Sequence, residues 1–184
     1  MRRPSILAVA VAISFAASHA QAAMTVIGGG MAEACSKAAL RGGTELRFER
    51  VCTEALETEF LNARDRAGTY INRGVLKLRR GRYVDATHDF NEAVRLKPDM
   101  GEAYVNRGAS AVGQQLYAQG LVDLNKGIEL GIQEPAKAYY NRALAYEGLD
   151  DAKSAYFDYQ KASEIQPDWD APRRELVRFS ISQR

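Results

Sequence analysis

The stretch Tyr70-Ile71-Asn72-Arg73-Gly74 returns as Tyr104-Val105-Asn106-Arg107-Gly108 and again as Tyr139-Tyr140-Asn141-Arg142-Ala143. The first interval is 34 residues and the second is 35. A period of that length is the sequence sign of stacked helical units, each of which buries its apolar face only against its neighbours.

The residues between the returns repeat in register. The first unit, 67–100, places Tyr70, Gly74, Val75 and Leu78 on one helix and Ala86, Phe90, Ala93 and Leu96 on a second, with a turn at Gly81-Arg82-Tyr83. The second unit, 101–135, matches with Tyr104, Gly108, Tyr117, Gly120, Leu124 and Gly127. The third, 136–168, carries Tyr139, Ala143, Tyr146, Ala155, Tyr159, Ala162 and Ile165. Small residues fall where the paired helices should cross: Gly74 with Ala86, Gly108 with Gly120, Ala143 with Ala155. Pro98, Pro135 and Pro167 are expected to stop each second helix from running on. The expectation is an all-α chain, an α-solenoid of antiparallel hairpins. A polar-faced capping helix within 169–184 should close its C-terminal end.

Upstream, 32–66 reads as a further, degenerate helical hairpin with its connection. Thr44 is a candidate cap for its second helix, and Asp65 for the helix after it. The hairpin holds the only two cysteines, Cys35 and Cys52, at points that an antiparallel pair brings to the same end. A disulfide between them is the favoured reading, with two buried free thiols as the alternative. Two thiols without a nearby histidine fall short of a structural zinc site.

Residues 1–22 read as a secretory signal peptide. Arg2 and Arg3 precede an apolar run from Ile6 to Ala17, and Ala20-Gln21-Ala22 supplies small residues at the cleavage positions. A cut after Ala20 is the alternative to a cut after Ala22. The apolar run is shorter than the roughly 20 residues of a membrane span, so no stable membrane insertion is expected once it is removed. The expected location is periplasmic or secreted, where disulfides persist. Residues 23–31, with Gly28-Gly29-Gly30 and no helical period, read as a flexible arm.

Without Arg2 and Arg3, lysines and arginines fall from 25 to 23, level with the 23 aspartates and glutamates. That balance lacks the basic excess of a nucleic-acid binder. Catalysis also finds little support. His88 is the single histidine outside the signal segment, and no nucleophile elbow or metal-binding histidine pair is present. No enzyme activity, cofactor or metal is expected.

On the register of Tyr70, Gly74, Ala86, Phe90 and Ala93 and its returns, the chain resembles the tetratricopeptide repeat family, and more loosely the small exported repeat proteins of proteobacteria. Gly127, where the family usually has alanine, and the delayed Pro135 depart from the pattern. The resemblance implies a right-handed α-solenoid, in which the first helix of each unit lines a concave surface that binds a protein or peptide. It places Ile71, Asn72, Val105, Asn106, Tyr140 and Asn141 toward that groove, together with Arg79, Glu102 and Lys137. An asparagine amide carries both a donor and an acceptor, so Asn72, Asn106 and Asn141 suit the backbone of an extended peptide; bracing of the scaffold is the other reading. Arg73, Arg107 and Arg142 are expected to pair with acids such as Asp89 and Asp123. The function expected is a non-enzymatic adaptor. The alternative is an assembly subunit of an envelope complex, joined through helix edges or as a homodimer.

Overall fold

A computed structural model describes residues 21–26 and 30–181. The expected signal segment lies outside these residues, except for Gln21 and Ala22. The described residues form α1 (Met31–Leu40), α2 (Leu46–Thr58), α3 (Ala63–Arg79), α4 (Tyr83–Leu96), α5 (Gly101–Gly113), α6 (Tyr117–Leu130), α7 (Pro135–Gly148), α8 (Ala152–Ile165) and α9 (Asp170–Ile181). The fold is all-α, a solenoid of hairpins.

The pairs α3–α4, α5–α6 and α7–α8 make the most extensive contacts, and α4–α5 and α6–α7 join one pair to the next. First helices also touch first helices: α3 meets α5, and α5 meets α7. The contact of α1 with α3 extends that inner row by one more hairpin. The inner layer is therefore α1, α3, α5 and α7.

Phe90 and Tyr159 are fully buried, as is Leu124 at the second unit's equivalent position. Small residues let the helices close over them. A Cβ on Gly74 would lie 2.4 Å from the Phe90 ring, and one on Gly108 would lie 2.7 Å from Leu124 Cγ and 3.0 Å from the Gly120 carbonyl. Gly127 sits against α5, where a Cβ would fall 2.5 Å from Val105 Cγ2 and 2.8 Å from the Gly101 carbonyl. Here the departure from alanine is a packing requirement: α6 approaches the start of α5 too closely for any side chain.

Three local expectations need correction. Asn62, not Asp65, caps α3: its side chain accepts from the Asp65 N–H at 2.9 Å and donates to the Asp65 carboxylate at 2.7 Å. The helix starts a turn earlier than the repeat pattern suggested. Glu45, not Thr44, occupies the N-cap position of α2, without a side-chain cap bond. Pro135 does not end α6. Gly131, at φ 82°, turns the chain there, and Pro135 opens α7 in its first turn, where a missing N–H costs nothing.

Cys35 and Cys52 are joined in a disulfide across α1 and α2, with Cα atoms 4.9 Å apart. Closing a loop of sequence separation 17 constrains the unfolded chain by about 3 kcal/mol. At the other end α9 covers α8, with Phe179 against Tyr156 and Tyr159.

Candidate concave binding site

The inner row presents one asparagine from each of α3, α5 and α7. Asn72, Asn106 and Asn141 are all fully buried. What covers the first two is the chain's own segment 21–26. Asn72 Oδ1 accepts from the Met24 N–H at 2.8 Å, and Asn72 Nδ2 donates to the Met24 carbonyl at 2.8 Å. Asn106 Oδ1 accepts from the Ala22 N–H at 3.1 Å, and its Nδ2 donates to the Ala22 carbonyl at 2.7 Å. That Nδ2 also donates to the Glu102 carbonyl one turn back, at 2.9 Å, which fixes which way the amide points. Each asparagine thus satisfies both main-chain groups of one residue, and successive asparagines take alternate residues.

Segment 21–26 is not the flexible arm the sequence suggested. It is extended, with Ala22, Met24 and Val26 buried and Thr25 exposed between the last two. An extended chain sends alternate side chains to opposite faces, which is the pattern seen here. Two residues advance about 6.6 Å along such a chain, a little less than the roughly 8–10 Å between packed helix axes. A track on the inner side of a curved row has that shorter step.

Other inner-row groups complete the cradle. Ser36 on α1 accepts from the Val26 N–H at 3.2 Å and donates to the Met24 carbonyl at 2.8 Å. Gly68 on α3 leaves room for the segment, since a Cβ there would stand 3.2 Å from Val26 Cγ2. Arg79 Nε donates to Gln21 Oε1 at 3.3 Å while its Nη1 donates to the Ala39 carbonyl at 2.6 Å. Burial lowers the Arg79 pKa, partly offset by the Glu134 charge. Lys137 Nζ on α7 donates to the Gln21 carbonyl at 2.9 Å and pairs with Glu134 at 2.6 Å. A cleft of about 140 Å³ opens beside Met24, with Arg64, Lys97, Asp99 and Gln133 in its wall.

The remaining residues expected at the groove divide. Glu102 is buried and accepts from the Gln133 N–H at 3.2 Å, so it ties α5 to the α6–α7 turn. Val105 faces α6 at Gly127. Tyr140 packs on Tyr159 and Trp169 and reaches Glu175 of α9. Val105 and Tyr140 thus belong to the core between helices and not to the concave track. Ile71, at their register position, is fully buried in the apolar cluster that also contains Met24. Sequence reasoning missed Ser36 and the segment itself.

The arginines next to the asparagines form a second, separate ladder. Arg73, Arg107 and Arg142 each grip the aspartate 16 residues on, Asp89, Asp123 and Asp158, through two bonds of 2.7–3.0 Å. Each guanidinium also lies over the tyrosine three residues before it, at 5.5, 5.3 and 5.2 Å. The hydrogen bonds to Asp123 and Asp158 raise the pKa of Arg107 and Arg142. Their third contact runs to the preceding hairpin: Arg73 to Thr53, Arg107 to Asn91 and Arg142 to Asn125. These arginines brace the stack.

His88 is exposed on α4. Among the described residues no group of acids, histidines and cysteines is placed to hold a metal, and no helix is long and apolar enough to cross a membrane.

Residues 136–168, from Ala136 at the start of α7 to Asp168 after α8, match the family model described as Tetratricopeptide repeat. The chain carries a tetratricopeptide repeat there. It is 34% identical over 87 residues to the Hsp70-Hsp90 organizing protein of Triticum aestivum, covering 47% of this chain and 15% of that protein. It is 32% identical over 103 residues to mitochondrial import receptor subunit TOM70 of Homo sapiens, covering 53% of this chain and 17% of that one. The chain thus spans under a fifth of the length of either relative. In fold it is similar to MamA from Desulfovibrio magneticus RS-1, with a TM-score of 0.64 at 22% identity over 84% of this chain and 86% of that one. Proteins built of tetratricopeptide repeats are in general protein-interaction adaptors.

Proposed function

We propose that this tetratricopeptide repeat protein is a non-enzymatic adaptor, exported from the cytoplasm, that holds an extended segment of a partner protein along its concave face. The observation that carries the reading is the pairing of Asn72 and Asn106 with both main-chain groups of alternate residues. A surface that reads N–H and C=O together binds backbone of any sequence in extended form, and it leaves selectivity to the small spaces beside it. Asn141 on α7 is the third position of the same row. Cationic Lys137 and Arg79 mark the α7 end, where they take a carbonyl and a side-chain amide. Export is supported by Arg2 and Arg3 ahead of an apolar run and by the Cys35–Cys52 disulfide, a bond that persists in oxidising compartments.

The test is affinity capture from the periplasmic fraction, with the Asn72→Ala/Asn106→Ala/Asn141→Ala protein as its control. Partners held through the concave face are lost from the triple variant. A partner captured equally by both proteins is not bound through the asparagine row, and the proposal fails for it.

A further inference from the structure

We infer that segment 21–26 is a built-in competitor for the concave face: in the free protein it fills the track in cis, and an extended peptide partner binds by displacing it. The inference rests on the reading of the concave face as a peptide site and states how that site is regulated. Segment 21–26 makes the contacts a partner would make. It spans the whole inner row, from Lys137 on α7 through Asn106 on α5 and Asn72 on α3 to Ser36 on α1. It lies extended on the helices, held by side-chain amides and by the burial of Ala22, Met24 and Val26.

The far side of the segment is built for release. Gly28-Gly29-Gly30 separates it from α1, and Gly30 sits at φ 104°, in the left-handed region that glycine tolerates best. The start of α1 is held independently of the segment, since Glu59 accepts from the Met31 and Ala32 N–H groups at 2.5 and 3.1 Å. The segment can therefore leave without unwinding the first helix. The segment also states the class of ligand that displaces it: an extended peptide with apolar residues at every second position, as Ala22, Met24 and Val26 are. Ala22 is buried, 2% exposed, so a charged side chain there would have to leave the track. Signal cleavage sets the strength of the competition. A cut after Ala20 keeps every contact of the segment, whereas a cut after Ala22 removes the residue that Asn106 holds.

The experiment uses the protein with residues 21–26 intact and a fluorescent peptide of the sequence of residues 21–26. A tether of a few residues gives an effective concentration in about the millimolar range. Against a peptide Kd near 100 µM, the segment in cis weakens binding by about tenfold. Ala22→Glu ejects the segment by a change outside the apolar cluster around Ile71, and Met24→Asp does so by a change within it, two residues on. Both variants are expected to bind the peptide about tenfold tighter than the parent, all three proteins remaining monomeric by sedimentation. Equal affinity in parent and variants overturns the competition while leaving the peptide site standing. A dimer in the parent that Ala22→Glu dissolves overturns occupancy in cis. Absence of peptide binding in all three overturns the segment as a ligand. Adding Asn72→Ala and Asn106→Ala to the Ala22→Glu protein should abolish binding. If it does not, the peptide site itself is misplaced, a failure separate from that of the competition.

Discussion

At the scale of single residues, neighbours in sequence do different work. In Asn106-Arg107 the amide faces the concave track and the guanidinium faces Asp123 on the paired helix. Asp123 is 5% exposed, and so is a carboxylate that needs its partner. Removing one half of such a pair leaves an uncompensated buried charge, at a cost of roughly 3–5 kcal/mol. Arg107→Ala should lower the unfolding free energy by about that amount in a urea titration. Arg95→Ala, which removes an exposed, solvent-screened pair with Glu92, should leave it nearly unchanged. The asparagines have another role: each of the two that hold segment 21–26 satisfies an N–H and a carbonyl that burial would otherwise strand. Sequence alone separated the braces from the row of amides, because each arginine follows its asparagine by one position and so lies on a different face of the helix. It did not separate Val105 and Tyr140 from the row, since a residue one position before a groove residue turns about 100° away on a helix, toward the partner helix.

At the scale of elements, the second hairpin shows how a local propensity is overruled. Gly127 in mid-helix is unfavourable by about 1 kcal/mol relative to alanine. Yet its Cβ would collide with Val105 and with the Gly101 backbone, which cannot swing aside. Overpacking of this kind costs about 1–3 kcal/mol. Gly127→Ala is therefore expected to lower the thermal midpoint despite its better helix propensity. At an exposed helical position the same exchange would raise it. Thermal unfolding followed by circular dichroism reads the sign.

The closing helix α9 makes a second prediction at this scale. Burial, with the Glu175 carboxylate beside it, pushes the Tyr140 phenol up to about 12, and burial raises Tyr159 too, next to Glu147. An unfolded tyrosine titrates near 10. The folded state therefore favours the protonated phenol. Its contribution is fully present below about pH 10 and is lost as pH rises toward 12. Tyr140→Phe removes the titration but keeps the ring against Trp169, so the variant should lose less stability than the parent between pH 10 and pH 12. Equal losses in the two proteins would show that Tyr140 does not govern the alkaline limb.

At the scale of the whole molecule, the stack was legible because its determinants are local and repeated. Tyr70, Gly74 and Phe90 recur at a fixed period, and period is visible in a chain read end to end. The site was legible in part. The suitability of Asn72 and Asn106 for an extended backbone follows from the chemistry of an amide. The occupant does not, because Met24 meets Asn72 across 48 residues and Ala22 meets Asn106 across 84. Three glycines and the lack of a helical period suggested an arm without fixed structure. The alternation of Ala22, Met24 and Val26 was the available signal, a period of two with no strand beside it for pairing. The inner row supplies that pairing through side chains instead of a neighbouring strand.

The central claim is that the asparagine row holds an extended main chain, and amide hydrogen exchange at Ala22 and Met24 tests it most directly. Both N–H groups are expected to exchange slowly in the parent protein, with Ala22 released by Asn106→Ala and Met24 by Asn72→Ala while the amides within α3 and α5 stay protected. Exchange of both at the rate of an unstructured peptide in the parent protein would contradict the account.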